Sequence, residues 1–304
     1  MADLSILIPA RNEIFLKRTI EDILANIEGD TEIIAVLDGY WPDPGIEQHP
    51  RVTVVHLPES IGQRAATNLA ARLSKAKYLM KCDAHVAFDK GFDRKLMEVM
   101  QDDWTIVPVM KNLHAFDWVC EDGHRRYQGP SGSCQECSKP TVMDVVWIAK
   151  KSPNSTSFRF TKYNKGGLHF EYWGDFKKRQ EWRDNDIVRT LSLQGSCFML
   201  TREKYWELNI CDEGHGSWGQ QGVEVALKTW LSGGKVMCNK NTWYAHMFRT
   251  QQGFKFPYYL PESEVEKARE YSRKLWLTDS WPLAKMKLEE LLDQFKPVPE
   301  WHES

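Results

Sequence analysis

An α/β fold, with a mostly parallel central sheet flanked by helices, is what this chain of 304 residues predicts. Three observations carry that expectation. Apolar runs of strand length alternate with helically spaced apolar residues through the first 110 positions; two of those runs close on an aspartate, Asp38 and Asp83; and glycine-rich loops punctuate the second half.

Leu4 to Pro9 is the first run, followed by Leu16, Ile20, Ile23, Leu24 and Ile27 at helical spacing and by Glu32 to Asp38 as a second run. Arg51 to Leu57 alternates like a strand, Ser60 stands where it would cap a helix carrying Ile61, Ala65, Leu69 and Leu73, and Lys77 to Cys82 returns as a strand. Phe92, Leu96, Val99 and Met100 mark another helix before the strand Thr105 to Val109. Repeated βαβ units build a parallel, doubly wound sheet whose ligands gather at the carboxyl ends of the strands, where Asp38 and Asp83 fall.

Beyond residue 110 the pattern is less regular. A strand at Leu193 to Leu200 precedes a short helix started by Thr201, a Gly-rich loop from Glu213 to Gly219, and a helix carrying Val223, Leu227, Trp230 and Leu231 that stops at Gly233-Gly234. Two strands, Lys235 to Cys238 and Thr242 to His246, lead into an aromatic loop at 250–261. The tail at 262–297 reads as two helices, the second opened by Ser280 and Pro282. The expected division is therefore one α/β domain at 1–260, with an insertion at 111–145 between its halves at 1–110 and 146–260, and a C-terminal helical extension at 261–304.

Forty Lys and Arg against 42 Asp and Glu give a net charge of −2, so no global field draws the chain to nucleic acid or anionic membrane. There is no apolar stretch of membrane-spanning length, and the N-terminus lacks the basic, apolar and small-residue series of a signal peptide. A cytoplasmic protein is expected, bacterial or working in the cytosol of a virus-infected host. Seven cysteines, an odd number, fit a reducing compartment with metal-bound thiols better than a disulfide framework. Cys120-x3-His124-x9-Cys134-x2-Cys137 supplies three thiolates and an imidazole, the full tetrahedral set of a structural Zn2+. The alternative is four unrelated polar residues.

Asp83-Ala84-His85 closes the fourth strand, and residues two apart on an extended segment point the same way, so Asp83 and His85 are placed to share one divalent cation. In isolation the triplet is equally a strand-end acid beside a satisfied histidine. Its surroundings are informative. Ile8-Pro9-Ala10-Arg11-Asn12-Glu13, Val36-Leu37-Asp38-Gly39 and Asp83-Ala84-His85 follow successive strands. Gly195-Ser196-Cys197-Phe198-Met199-Leu200, Asp212-Glu213-Gly214 to Trp218-Gly219, Trp230-Leu231-Ser232-Gly233-Gly234 and His246-Met247-Phe248-Arg249 come later. In that order, over roughly residues 3–260 apart from the insertion, the chain resembles the Rossmann-like GT-A glycosyltransferases, above all the polypeptide N-acetylgalactosaminyltransferases and family-two-like enzymes.

The resemblance implies a UDP-sugar donor and a Mn2+ (or Mg2+) ion held by Asp83, His85 and His246. It implies donor contacts from Pro9, Ala10, Arg11, Glu13 and Asp38, with Arg64 near the phosphates and Arg249 on the diphosphate. The chemistry agrees, since a cation and an Arg fork stabilise a departing diphosphate without proton transfer. Two departures stand out. Leu37 precedes Asp38 where relatives carry paired aspartates, and Trp218-Gly219-Gln220-Gln221-Gly222 replaces Trp-Gly-Gly-Glu-Asn. Trp218, Gln221 and Glu224 are thus candidate catalytic residues beside Asp83 and His85. Glu224 is either a general base or a structural carboxylate at a helix start, and Trp218 lines a sugar pocket or belongs to the core. Without a base in that loop the reaction retains anomeric configuration.

From 149 to 189 ten basic residues against five acidic ones are interleaved with Phe158, Phe160, Tyr163, Phe170, Tyr172, Trp173, Phe176 and Trp182. This pattern reads as a stacking surface for nucleic acid or as a solvated loop over an aromatic core. The acceptors considered are a hydroxymethylated base in DNA, a protein Ser or Thr, and a glycan. Two other function classes stay open, a nucleic-acid-binding zinc module on an inactive scaffold and a nucleotidyltransferase. The segment from Gln251 to Phe256 is expected to act as a lid.

Overall fold

The computed structural model describes residues 2–151, 157–162, 168–249 and 254–302. Strand β1 (Leu4–Ala10) is buried along nearly its whole length, as a central parallel strand covered on both faces must be. Its side chains divide by parity. Leu4, Ile6 and Ile8 pack with Leu16, Ile20 and Ile23 of α1 (Leu16–Asn26), while Leu7 packs with Ala66 and Ala70 of α2 (Gln63–Leu73) on the other face. Parallel pairing joins β1 to β2 (Thr31–Asp38) and to β4 (Tyr78–Cys82), and β2 to β3 (Val52–Leu57).

Two short elements, β5 (Val86–Phe88) and α3 (Phe92–Met97), lead to β6 (Trp104–Cys120), a strand of 17 residues. The expected strand Thr105 to Val109 is only its first part. Its second part leaves the main sheet and pairs antiparallel with β7 (Arg125–Tyr127) and β8 (Thr141–Ala149), building the insertion. A hairpin of β9 (Phe158–Lys162) and β10 (Leu168–Tyr172) follows, then the one-turn helix α4 (Gln180–Asp184) and the edge strand β11 (Ile187–Arg189). β12 (Cys197–Thr201) enters antiparallel between β4 and β6, and α5 (Arg202–Glu207) is capped by Thr201, whose hydroxyl accepts from Lys204 N.

Helix α6 (Gln221–Leu231) runs into β13 (Lys235–His246), which pairs parallel with β6. The two strands expected at 235–246 are one, with a register shift between Asn239 and Trp243. The sheet order is β11-β13-β6-β12-β4-β1-β2-β3; β13 and β6 are parallel on one side of the antiparallel β12 and β4, β1, β2 and β3 on the other, with β11 an antiparallel edge.

The tail consists of α7 (Glu262–Trp276) and α8 (Leu288–Asp293). Trp276, Leu291, Leu292 and Phe295 share a core with Leu7 and Ile34, so the tail completes the packing of one face of the sheet. Ser280 does not open the second helix. Its hydroxyl donates to Lys274 O at 2.6 Å and finishes α7, while α8 begins at Leu288 with Glu290 accepting from Lys287 N. Ser60 does not cap α2 either, because its hydroxyl donates to Asp38 and Gly62, at φ 91°, occupies the cap position. Phe158, Phe160, Trp173 and Phe176 are buried, and Arg179 lies over the rings of Trp173 and Phe176. Those four aromatics belong to the core and not to a stacking surface; Tyr163 lies outside the described residues. Among the described residues no helix is long and apolar enough to cross a membrane.

Candidate active site

Parallel pairing of β2, β1 and β4 brings their carboxyl ends to one edge, and Asp83 leaves β4 there with its N–H donating to Ser196 O. β13 pairs antiparallel with β5 so that His246 lies opposite Val86, next to His85. Sequence positions 163 apart thereby meet: His246 Nε2 is 3.1 Å from Asp83 Oδ2, and His85 Nε2 is 4.0 Å from the same oxygen. Adjacent ligands of an octahedral cation with bonds of about 2.2 Å stand about 3.1 Å apart, so the Asp83 and His246 atoms match one edge and His85 closes the face after a small shift.

Glu13 fixes the histidine's orientation. Its Oε2 lies 2.9 Å from His85 Nδ1, which leaves Nε2 of that ring facing Asp83 and His246, the carboxylate–histidine arrangement typical of metal ligands. The same oxygen accepts from Arg249 Nη2 at 2.5 Å. Burial opposes ionisation of Glu13, but the His85 and Arg249 charges outweigh it and hold the carboxyl below its usual range. For Asp83, burial is likewise outweighed by the Lys81 ammonium and the His246 hydrogen bond. Burial pulls His246 down to about 4 despite its bond to Asp83, so the ring is neutral at pH 7 and keeps one bare nitrogen, as a ligand requires.

These groups face a cavity of about 420 Å³. Pro9, Ala10, Arg11 and Asp38 line one side of it, and Trp218 and Gln221 another. Four polar atoms of its lining residues, Arg11 Nε, Gln220 Oε1, Gln221 Oε1 and His246 Nδ1, are buried without a hydrogen-bond partner. Orphaned polar atoms around one cavity are the mark of a polar ligand's seat.

Comparison with known proteins assigns the family. A family model described as glycosyl transferase family 2 matches residues 5–208. The chain belongs to glycosyl transferase family 2. N-acetylgalactosaminyltransferase 6 of Drosophila melanogaster is 24% identical over 204 residues, 65% of this chain and 25% of that protein. Putative polypeptide N-acetylgalactosaminyltransferase 13 of the same organism is 22% identical over 97% of this chain and 49% of its own length. A crystal structure of GalNAc-T7 with UDP, GalNAc and Mn2+ superposes with a TM-score of 0.62 at 19% identity, covering 91% of this chain and 49% of that one. The family 2 chain thus spans about half, or less, of these relatives and shares the GT-A fold.

Two residues named from the sequence stand elsewhere in this family 2 chain. Arg64 does not reach the cavity. Its side chain is 1% exposed, pairs with Glu224 at 2.9 Å and donates to Gly219 O at 2.6 Å, so it braces the 216–219 loop from beneath. Glu224 is fully buried, accepts from Lys228 Nζ and Asp212 N, and is held down to about 2 because Lys228, His215 and Arg64 outweigh the cost of burial. A carboxylate so weakly basic and so enclosed is no general base; it is a structural acid. Asp38 lines the cavity, but its oxygens accept from Ser60 Oγ, Ile61 N and Gly62 N.

Sequence reasoning missed Lys81 and Gln194, and found the tail helix α7 without its place beside the cavity. Lys81 is a charged residue in an otherwise apolar central strand, and that anomaly was the available signal. Val265 and Arg269, four apart on one face of α7, also line the cavity, so the tail helps to enclose it.

The insertion gathers Cys120, His124, Cys134 and Cys137, whose ligand atoms all lie within 4.8 Å of one another. Cys120 Sγ and Cys134 Sγ are 3.5 and 3.6 Å from His124 Nδ1, and Cys137 Sγ is 3.7 Å from Cys120 Sγ. A ZnS3N tetrahedron has edges of about 3.6 Å between S and N and about 3.8 Å between sulfurs. Backbone N–H groups of Cys137 and Glu136 draw the Cys134 thiol down to about 6, toward the thiolate a metal needs.

Proposed function

We propose that the chain transfers a sugar from a UDP-sugar to an acceptor hydroxyl, with Mn2+ (or Mg2+) held by Asp83, His85 and His246. The observation that carries this reading is the convergence of those three ligand atoms, and of the Glu13–Arg249 pair, on one cavity edged by orphaned polar atoms. When bound, the cation supplies Lewis-acid stabilisation of the charge on the departing diphosphate. Arg249 adds a buried fork for phosphate oxygens, Pro9, Ala10, Arg11 and Asp38 form the nucleoside wall, and Trp218, Gln220 and Gln221 line the same cavity toward the sugar. The bound ligands of GalNAc-T7 support this choice of donor and ion.

Retention of anomeric configuration is part of the proposal. Among the described residues the carboxylates lining the cavity are Glu13, Asp38 and Asp83, each already engaged: by His85 and Arg249, by the 60–62 loop, and by Lys81 and His246. With no free base, the departing phosphate takes the acceptor's proton. We assign a structural Zn2+ to the Cys120 cluster on the match of its edges to a tetrahedron, and a reducing, cytosolic setting suits its free thiols.

A UDP-sugar panel with Mn2+, tested on hydroxymethylated DNA, peptide and glycan acceptors and read by mass spectrometry, decides the reading. Burial of four of the eight aromatics between 158 and 182 removes half of the stacking surface, so DNA enters that panel on equal terms with peptide and glycan. Metal-dependent UDP release, abolished by Asp83→Ala and His246→Ala, is expected. Pyrophosphate release would instead assign nucleotidyl transfer, and no turnover with any donor an inactive scaffold. Of the lid proposed at Gln251 to Phe256, residues 251–253 lie outside the described residues; protection from protease there on adding UDP and Mn2+ is its test.

A further inference from the structure

The Lys81 side chain is 0% exposed, its ammonium buried in the central sheet behind the proposed cation site. Lys81 and Asp83 are two apart along the end of β4 and point the same way, and Lys81 Nζ donates to Asp83 Oδ1. Its second bond, to Gly195 O at 2.9 Å, ties it to the segment before β12. Asp83 N donates to Ser196 O in the same segment, so the carboxylate is gripped through both its backbone and its side chain. The two carboxylate oxygens are thereby divided. Oδ1 belongs to Lys81, and Oδ2 faces His246 Nε2 and His85 Nε2.

Charge has the second consequence. Glu13 is offset by Arg249 and Asp83 by Lys81, so the two carboxylates nearest the histidines carry no net excess of negative charge. A dication arriving alone meets two imidazoles and a carboxylate already paired with an ammonium. The missing negative charge comes with the diphosphate of the donor.

We infer that Lys81 is a positioning residue: it takes one oxygen of Asp83, leaves the other as a single-point ligand, and makes cation binding depend on the donor diphosphate. The inference rests on the cation site proposed above. It explains why an otherwise costly buried ammonium lies in a central strand.

The test measures Mn2+ affinity by electron paramagnetic resonance with and without UDP, together with kcat and donor KM, for the unaltered chain, Lys81→Met and Lys81→Gln. Gln is neutral but can still donate to Gly195 O, so it serves if Met impairs folding; thermal unfolding reports that. The unaltered chain is expected to bind Mn2+ about tenfold tighter with UDP present. Both variants are expected to bind Mn2+ alone about fivefold tighter, to lose most of the UDP coupling, and to fall about tenfold or more in kcat with donor KM little changed. A merely structural lysine would weaken Mn2+ binding in step with stability. Unchanged or weaker Mn2+ affinity in a folded variant overturns the role of Lys81 alone. No Mn2+ binding by the unaltered chain, with or without UDP, overturns the cation site itself and this inference with it.

Discussion

Two clusters of nearly the same composition lie in this molecule and behave as opposites. Asp83, His85 and His246 meet at the cavity, and Asp212, His215 and Glu224 meet in the interior beneath the 216–219 loop. Both bring ligand atoms within 4.8 Å. What separates them is the neighbouring charge. In the second cluster Glu224 is paired with both Arg64 and Lys228, and His215 Nδ1 stands 3.6 Å from Glu224 Oε1 while neither of its ring nitrogens has a hydrogen-bond partner. Permanent cations already fill the place a metal would take, so the cluster is a buried ion network that holds a loop. The first carries one buried ammonium on one carboxylate oxygen and leaves the remaining ligand atoms toward open space. Ligand type and proximity do not separate the two clusters; the cations packed against them and the cavity beside one of them do.

The contrast breaks most easily at its extremes. Asp83→Ala is expected to lower UDP release from a donor sugar about a thousandfold in protein that thermal unfolding shows to be folded, at a lower melting temperature because the buried Lys81 ammonium keeps only Gly195 O. Retained activity would remove the first cluster from catalysis. Glu224→Ala should do the reverse. It strands Arg64 and Lys228 in the interior and is expected to cost about 3–5 kcal/mol in a denaturant titration, with Mn2+ affinity of the folded protein unchanged.

The pH dependence of stability sharpens the contrast further. Burial lowers His215 from 6.5 to about 4, so between those values the unfolded chain binds more protons. The stability this histidine contributes is whole above pH 6.5 and is lost as pH falls toward 4, on the order of 2–3 kcal/mol. Glu224, lowered from 4.5 to about 2, adds its own loss only below pH 4.5, so the two windows are separable. His215→Phe should flatten the upper window, and an unaltered slope would show that another group titrates there. The smallest effect expected is from Arg249→Lys, which keeps the charge and loses the fork, with kcat/KM down about tenfold.

Much of the first cluster was legible in the sequence because its signals are local or ordered. Asp83 and His85 are two apart at a strand end, His246 closes a later strand, and Cys134-x2-Cys137 is a short spacing with its own chemistry. The second cluster was not legible. Arg64 and Glu224 are 160 positions apart, and nothing in the Trp218 loop reveals that a buried guanidinium will take its carbonyls from beneath. Ser60 and Ser280 look like helix starters because the Ser oxygen caps helices by accepting from backbone N–H groups; here each hydroxyl donates, to a carboxylate and to a helix-end carbonyl, and Gly62 and Lys287 hold the cap positions. β6 was cut short because its apolar run ends near Val109, whereas a neighbour strand carries the pairing onward. Backbone pairing outlasts the hydrophobic pattern that began it.

That continuity of β6 has one more consequence. Asn112, which pairs with His246, and Cys120, which enters the thiol cluster, lie on the same uninterrupted strand, about 26 Å apart at extended rise. Between them Phe116 stacks on Phe15, two residues past Glu13, and touches Phe254, whose ring lies under Arg249. Losing or gaining a single residue between 112 and 120 would invert every side chain beyond the change, sending Phe116 or Cys120 to the wrong face. Length in this stretch is therefore far less free to drift than identity, and the rim of the molecule is geared to its centre by counting.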